Sequence, residues 1–170
     1  MQRGLDVLGL PVVCLDSGEQ IGIVRDILCD KTWRTLGIVL EEKSWFQPGT
    51  FIPFELIHAV GDDCLTVSSR GAATSMESLA DVDVLGVFTG KGCLRGKTVL
   101  TERGESLGNV EDVYFSSNWE KLVGYELSDG WIADLTEGRK RLPLAYSPVV
   151  GKEALIIPEF PRHQAESVQS

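Results

Sequence analysis

Short apolar runs separated by turn residues make up most of this chain. Residues 10–24, LPVVCLDSGEQIGIV, comprise an apolar run, an Asp-Ser-Gly-Glu turn and a second apolar run. Gly18 can adopt positive φ in that turn, and the pattern predicts a β-hairpin. Further strands are predicted in TLGIVLEE, TFIPF and CLTVSS, and later in LVGYELSD, RKRLPL and ALIIPE. Only FELIHAV and MESLADV favour a helical turn or short helix, so the chain is predicted to be mainly β.

The first half of the chain is repeated in the second half. Aligned at a shift of 86 residues, segments 16–33 and 102–119 are identical at six of 18 positions. The identical pairs are Gly18/Gly104, Glu19/Glu105, Gly22/Gly108, Val24/Val110, Asp26/Asp112 and Trp33/Trp119. After one inserted residue the match resumes at Gly37/Gly124, and it spans most of each half. This pattern indicates an internal duplication.

The long strand of each copy is predicted to bend. Apolar residues are shared at positions 21, 24, 27, 28 and 29 and at their equivalents, a spacing that breaks the alternation of a regular strand. A bulge near Gly22 or Asp26 would account for that spacing. Because a bent strand can wrap around a small core, we predict two similar small β-barrels in tandem.

The duplication also sets the expected domain boundaries. We expect the first barrel at residues 1–70, a linker with a possible added strand at 71–92, the second barrel at 93–160 and a frayed tail at 161–170. A barrel of this size alone would bury only about 60% of its unfolded surface. Packing of the two copies against each other is therefore expected to stabilise both.

Composition and charge are those of a globular protein with little affinity for polyanions. Hydrophobic residues make up 43% and charged residues 24% of the 170 positions, which is ordinary for a chain that buries a core. The net charge is −9, of which −7 falls in residues 1–85 and −2 in residues 86–170. Nucleic acids and anionic lipids attract proteins with surplus cationic groups, so the charge argues against a nucleic-acid partner.

The chain has four cysteines and two histidines at scattered positions: Cys14, Cys29, Cys64, Cys93, His58 and His163. Because no C-x-x-C pair occurs, we expect buried, unreactive thiols in a reducing cytoplasm, with no metal and no cofactor. The first residues do not have the pattern of a signal peptide, and no window approaches the roughly 18 apolar residues of a spanning helix. No membrane insertion is expected.

The order of the motifs in each copy is distinctive. Copy one has GLPV at 9–12, then D-x-G-x-x-x-G-x-V-x-D at 16–26, Leu-Gly at 36–37 and Ile-Pro-Phe at 52–54. Copy two matches at Gly104, Gly108, Val110, Asp112, Gly124 and residues 142–144, with RGKTV in place of GLPVV. This order resembles the PRC-barrel family, here as a double barrel similar to uncharacterised proteins of Gram-positive bacteria.

The resemblance carries expectations about fold and function. It implies a mainly β fold made of two tandem PRC-type β-barrels related by internal duplication. Members of the family occur in a photosynthetic reaction-centre subunit and in a ribosome-maturation factor, where the barrel docks against other proteins. The resemblance therefore implies protein binding without catalysis.

Asp26 and Asp112 are the sharpest candidates for chemistry. If the two barrels pack around a pseudo-twofold axis, these equivalent carboxylates could meet and act as an acid and base pair or as metal ligands. The alternative, which we favour, is that each carboxylate accepts backbone N–H bonds at the bend of its own strand, within its own copy. No histidine, nucleophile or phosphate-binding loop is placed to assist catalysis, so the protein is not expected to be an enzyme.

Aromatic residues at turns are candidates for binding. Trp33 and Trp119 follow the long strands and can serve as lids on the barrel ends or as docking anchors, with the lid favoured. EEKSWFQPGTF places two adjacent aromatic residues before a Pro-Gly turn, and copy two has a tryptophan and a basic hairpin in the matching place. Exposed aromatic clusters often mark contact sites. The candidate protein-binding residues are Trp45, Phe46, Phe51, Trp131, Arg139 and Arg141.

The alternative, which we favour, is a structural explanation of these same residues. The aromatic rings could pack between the two barrels, and the basic residues could protect an edge strand from aggregation. In that case the rings would be buried in the isolated chain. Their exposure and their contribution to stability separate the two explanations.

The leading hypothesis for function is a non-catalytic, cytoplasmic adaptor that binds another protein, as a monomer or weak homodimer. The alternative is an RNA-linked or ribosome-assembly accessory factor, in which residues 139–141 would form a basic face, with Arg103 and Lys97 as further candidates for it. A third hypothesis is a small-molecule or metal-binding regulator that uses Asp26 and Asp112. The sequence does not identify the partner.

Overall fold

The computed structural model describes residues 1–42, 49–128, 140–143 and 148–158. Within these residues the chain forms short strands and single turns of 3₁₀ helix. The 3₁₀ turns are Gly4–Asp6, Phe54–Leu56, Arg70–Ala72 and Met76–Leu79. The helical turns predicted in FELIHAV and MESLADV are confirmed by two of them.

Copy one forms the first of two sheets. Its strands in chain order are β2 (Pro11–Cys14), β3 (Gln20–Cys29), β4 (Thr35–Leu40), β5 (Thr50–Pro53), β6 (Ile57–Val60), β7 (Leu65–Val67) and β8 (Thr74–Ser75). The order in space is β6-β7-β2-β3-β4-β5-β8. Gly18 lies in the turn between β2 and β3 with φ of 70°, as the hairpin pattern predicts.

Copy two forms the second sheet with the same plan. Its strands are β10 (Thr98–Thr101), β11 (Ser106–Phe115), β12 (Leu122–Ser128), β13 (Lys140–Pro143), β14 (Val149–Val150) and β15 (Ala154–Ile157). Their order is β13-β12-β11-β10-β15-β14, which matches the first sheet strand for strand from β5 to β6. The predicted duplication and the mainly β fold are confirmed.

Two further short strands, β1 (Gln2–Arg3) and β9 (Leu85–Gly86), lie outside these linear orders. Strand β1 pairs with β11, and β9 pairs with β3. Two short strands of the segment expected as a linker are thus built into the first sheet, since β8 pairs with β5 and β9 with β3.

The long strand bulges where the sequence predicts it. Between β3 and β4 the register shifts from Val24↔Leu40 to Asp26↔Val39, so Arg25 is the extra residue. The equivalent shift occurs between β11 and β12 on either side of Glu111. The bulge lets the residues on both sides of it face the core, because it breaks the alternation of the strand.

One hydrophobic core runs through both barrels. It includes the fully buried side chains of Val12, Ile52 and Leu65 from the first copy and of Phe115 and Leu155 from the second. A barrel that shares its core with a neighbour buries more apolar surface than it could alone. The two copies pack against each other through this core.

Candidate functional site at the joint of the two barrels

Asp26 is held by hydrogen bonds to a distant segment of the chain. It is 2% exposed, and its Oδ1 accepts bonds from the backbone N–H groups of Ile27 and Phe88, both at 2.7 Å. Its Oδ2 accepts bonds from the backbone N–H and the hydroxyl of Thr89, at 3.2 and 2.9 Å. We call residues 85–89, which contain β9 and these donors, the middle arm.

Asp112 is held in the same way in the second barrel. Its Oδ1 accepts bonds from the backbone N–H groups of Val113, at 2.7 Å, and Leu5, at 3.0 Å. Its Oδ2 accepts a bond from Nε of Arg3 at 3.2 Å. Burial raises the pKa of Asp112 above its ordinary value, and these hydrogen bonds offset the effect only in part. We call residues 2–5 the N-terminal arm.

The two arms are exchanged between the barrels. The N-terminal arm precedes the first barrel in sequence but pairs with β11 of the second. The middle arm precedes the second barrel but pairs with β3 of the first. The expectation that each carboxylate is satisfied within its own copy is wrong for these donors. Asp26 and Asp112 therefore fasten each barrel to the segment that leads into the other.

The surroundings of the two carboxylates differ. Arg3 also bonds Glu126 through Nη2 at 3.1 Å, so one guanidinium joins two buried acids. In the first barrel Val39 stands at the position of Glu126, and Gly86 stands at the position of Arg3. A Cβ on Gly86 would lie 2.9 Å from Oδ2 of Asp26, so this glycine makes room for the carboxylate.

The barrels also meet directly at a pseudo-twofold axis. Arg34 and Lys121 form an isolated antiparallel bridge, and they occupy equivalent positions of the repeat. The backbone N–H of Thr35 donates to the carbonyl of Glu120 at 2.9 Å. A bridge between equivalent residues places the axis between them.

The repeated tryptophans lie at this joint. The carbonyl of Trp33 accepts a bond from the N–H of Leu122, and the carbonyl of Trp119 accepts one from the hydroxyl of Thr35. Both tryptophans have left-handed backbone conformations, with φ of 69° and 64°. Their half-buried rings pack against the main core, as the favoured lid hypothesis predicts.

A groove of about 320 Å³ opens beside the joint. Its apolar lining comes from the turn after β3, the start of the middle arm with the residue before it, and the second barrel: Trp33, Val84, Leu85, Pro148 and Val150. Val84 is 41% exposed and Val150 is 40% exposed, so apolar surface remains open to solvent. This groove could not be predicted from the sequence, because the apolar residues that meet here are far apart in the chain.

Charged residues form one rim of the groove. Lys31 and Asp83 make an ion pair of 2.9 Å between side chains that are both more than three-quarters exposed. Asp30 accepts three hydrogen bonds through Oδ1, from the N–H and hydroxyl of Thr32 and the N–H of Arg34. Burial acts to raise the pKa of Asp30, but these donors outweigh it and the pKa lies below its ordinary value.

The predicted protein-binding residues are only partly placed. Trp45, Phe46, Trp131 and Arg139 lie outside the described residues. Arg141 lies in β13, in register with Glu126 of β12.

Phe51 lies within the described residues, and its burial contradicts the prediction that it is a protein-binding residue. It is 5% exposed and belongs to a small second core with Leu28 and Val39, against which Met76 and Leu79 also pack. Strand β5 pairs with β8, and the 3₁₀ turn after β8 covers this ring. Phe51 is a core residue and offers no exposed ring to a partner.

Lys97, a candidate for the basic face, is a buried lysine. Lys97 is 5% exposed, and its Nζ donates to the carbonyls of Gly151 and Lys152, each at 2.8 Å. Lys97 therefore contributes no exposed cation to the basic face of the RNA hypothesis, which stays untested at residues 139–141. Across the described part of the chain, no three His, Cys, Asp or Glu side chains are grouped as a metal site would need.

The thiols divide into two classes with different expected reactivity. Cys14 and Cys29 are buried, and burial raises the pKa of Cys29 to about 12. Cys64 and Cys93 are partly exposed, which corrects the expectation that all four are buried. Because the thiolate is the reacting species, we expect iodoacetamide to modify Cys64 and Cys93 in the native protein.

Mass spectrometry of the labelled protein checks this prediction. Cys14 and Cys29 should be modified only after unfolding in urea. Labelling of Cys29 at the same rate as Cys64 under native conditions would contradict the placement of β3 in the core.

Comparison with known proteins agrees with the geometry. Among the described residues, no helix has the length and apolar character needed to cross a membrane. The chain is 28% identical over 158 residues to the uncharacterized protein YrrD of Bacillus subtilis (strain 168), a match that covers 89% of this chain and 84% of that protein. The family model for the PRC-barrel domain matches twice, at residues 3–72 and 93–164. These two matches cover most of the chain, which therefore belongs to the PRC-barrel family.

Proposed function

We propose that this chain is a non-catalytic, cytoplasmic adaptor that binds another protein and acts as a monomer or weak homodimer. The observation that carries the proposal is the use of Asp26 and Asp112 as anchors for the exchanged arms. These carboxylates were the best candidates for chemistry, and their oxygens are occupied by backbone and side-chain donors. Both carboxylates thus serve as structural anchors, which supports a role in which the double barrel presents a fixed surface to a partner.

The rigid joint supports this proposal. Backbone hydrogen bonds across the pseudo-twofold axis, the exchanged arms and a common core hold the barrels together. Two barrels in a fixed arrangement can offer a partner a composite surface that neither barrel has alone. Membership of the PRC-barrel family is compatible with this role.

A pull-down from bacterial lysate tests the proposal. We expect the chain to capture a protein partner that remains bound at high salt, whereas RNA would be lost as salt rises. Replacing both Trp45 and Phe46 by alanine should weaken capture by about 2 kcal/mol, or roughly thirtyfold, if the loop is a docking element. The melting temperature should then barely change.

The matched control replaces Leu15 and Leu56, which are 54% and 46% exposed, by alanine. This control should leave capture unchanged. If Trp45→Ala/Phe46→Ala instead costs about 3 kcal/mol or more of stability per ring, the rings pack inside the protein and the loop is not the docking element. Recovery of RNA alone, lost at high salt, would favour the accessory-factor alternative.

A further inference from the structure

We propose that the groove beside Trp33 binds an extended peptide segment of the partner, with an apolar side chain in the groove and an Arg or Lys next to it. This inference rests on the proposed adaptor function and names the site and the chemistry of the partner. The groove is formed only when both barrels are joined, since the middle arm and the second barrel supply walls to it.

The apolar lining sets the first half of this specificity. The groove of about 320 Å³ is near the lower end of the size of ligand pockets, about 300 to 1,000 Å³, and suits one large side chain. Trp33 contributes an indole, and Val84 and Val150 remain about two-fifths exposed. An apolar side chain placed here would remove these groups from water.

The carboxylate of Asp30 sets the second half. All three hydrogen bonds that it accepts end on Oδ1, so the side chain is fixed while Oδ2 accepts none from the described residues. A fixed carboxylate with one open oxygen is well prepared for a charge-assisted bond to a guanidinium or ammonium group. Within the described part of the chain, the neighbouring acid Asp83 pairs with the exposed Lys31 alone, and such exposed pairs are weak.

The duplication provides an internal comparison. Features that the fold requires should occur in both copies, and both tryptophans do. The acid does not, because Ser116 and Ser117 stand where the first copy has Asp30 and Lys31. The charge at the groove is therefore not needed to form the joint.

An extended peptide fits the edge of the sheet beside the groove. Strand β14 is the last strand in the order of the second sheet, as far as the described residues extend, and Val150 of β14 lines the groove. Its neighbour Val149 is 66% exposed. Edge strands commonly accept an extended segment through backbone hydrogen bonds, while alternate side chains enter pockets.

A phage-display experiment tests the inference: peptides are selected from a library of random dodecapeptides on the immobilised full chain. We expect enrichment of peptides that carry Arg or Lys beside Leu, Ile or Phe. A fluorescein-labelled selected peptide should then bind about tenfold more weakly to Asp30→Asn, which keeps the Oδ1 acceptor and loses the charge. Val84→Lys, which places a cation at the groove, should reduce binding at least as much.

Matched controls separate local from general effects. Asp63→Asn removes a charge from an exposed turn, and Leu56→Lys adds a cation to another exposed apolar position of the first barrel. Both should bind the peptide like the wild type. Enrichment of acidic or purely apolar peptides, or equal binding by wild type, Asp30→Asn and Val84→Lys, would overturn the inference.

Two further outcomes bear on the relation to the adaptor function. If arginine ethyl ester competes as effectively as the peptide, the groove is a site for small cations and peptide docking is wrong. If the lysate partner is captured equally by wild type and by both groove variants, the groove is not the docking site while the adaptor function stands.

Discussion

Replacing Asp26 by alanine is expected to lower the free energy of unfolding by about 4 kcal/mol or more, because several buried donors lose their acceptor together and each unsatisfied donor costs about 1–3 kcal/mol. The affected donors are the N–H groups of Ile27, Phe88 and Thr89 and the hydroxyl of Thr89. A loss of this size approaches the whole stability of many domains, about 5–15 kcal/mol. Urea unfolding followed by tryptophan fluorescence measures it.

Two variants control the Asp26→Ala experiment. Asp26→Asn keeps one acceptor oxygen and should lose clearly less stability than Asp26→Ala. Asp16→Ala removes an exposed acid of the same copy and should change stability by no more than about 0.5 kcal/mol. Equal, small effects of all three substitutions would mean that Asp26 does not anchor the middle arm.

Replacing Arg3 by methionine should produce the second large effect. The side chain of Arg3 neutralises Asp112 and Glu126, whose side chains are 0% and 8% exposed, and methionine keeps only the apolar stem. Breaking a fully buried pair costs about 3–5 kcal/mol, and Arg3 keeps 41% exposure, so we expect about 2 kcal/mol or more at neutral pH. Urea unfolding measures this loss as well.

The effect of Arg3→Met should depend on pH. The pKa of Asp112 in the folded state is already raised by burial, and losing Arg3 should raise it further. A folded-state pKa above the unfolded value, about 4, means that the folded form binds more protons, so stability increases as the pH falls towards 4. The variant should therefore approach the wild type in stability on acidification from pH 7.

A surface ion pair is the matched control for Arg3→Met. Arg70 and Glu19 lie 2.8 Å apart with side chains that are 69% and 61% exposed. Arg70→Met should leave the unfolding curve nearly unchanged at every pH tested, because solvent screens such pairs. If Arg3→Met behaves like Arg70→Met, the N-terminal arm does not contribute a buried cation to the second barrel.

The repeat predicts the barrels well, because their signals are local. Gly18 at its turn and the bulge beside Asp26 each leave a mark in the spacing of glycine and apolar residues. Both marks recur in copy two at a constant shift of 86. The size of each copy also predicts the shared core, since a barrel of that size buries too little apolar surface to be stable alone.

The exchange of the arms could not be predicted, for two physical reasons. Leu5 and Phe88 are equivalent donors but are 83 residues apart, so an alignment at a shift of 86 does not join them. The donors are also backbone N–H groups, which nearly every residue has, so the residue types do not identify them. A two-residue strand makes the same backbone hydrogen bonds with either barrel, so its sequence does not show which barrel it joins.

The groove and the burial of Phe51 were missed for a related reason. Both depend on segments that the chain brings together from far apart: Pro148 to Trp33 in one case, and Met76 to Phe51 in the other. An aromatic residue beside a Pro-Gly turn is expected near the surface, because connecting segments run over the outside of a protein. Cover supplied by a remote 3₁₀ turn reverses that expectation at Phe51.

Amide hydrogen exchange at Leu5 and Phe88, measured by NMR on the intact chain, tests the exchanged arms most directly. Both N–H groups donate to buried carboxylates of the barrel that their own arm does not lead into. The structure predicts that both amides exchange as slowly as the core amides of β3 and β11, through global unfolding. Exchange of either amide at the rate of an unprotected terminus would contradict the exchange of arms between the barrels.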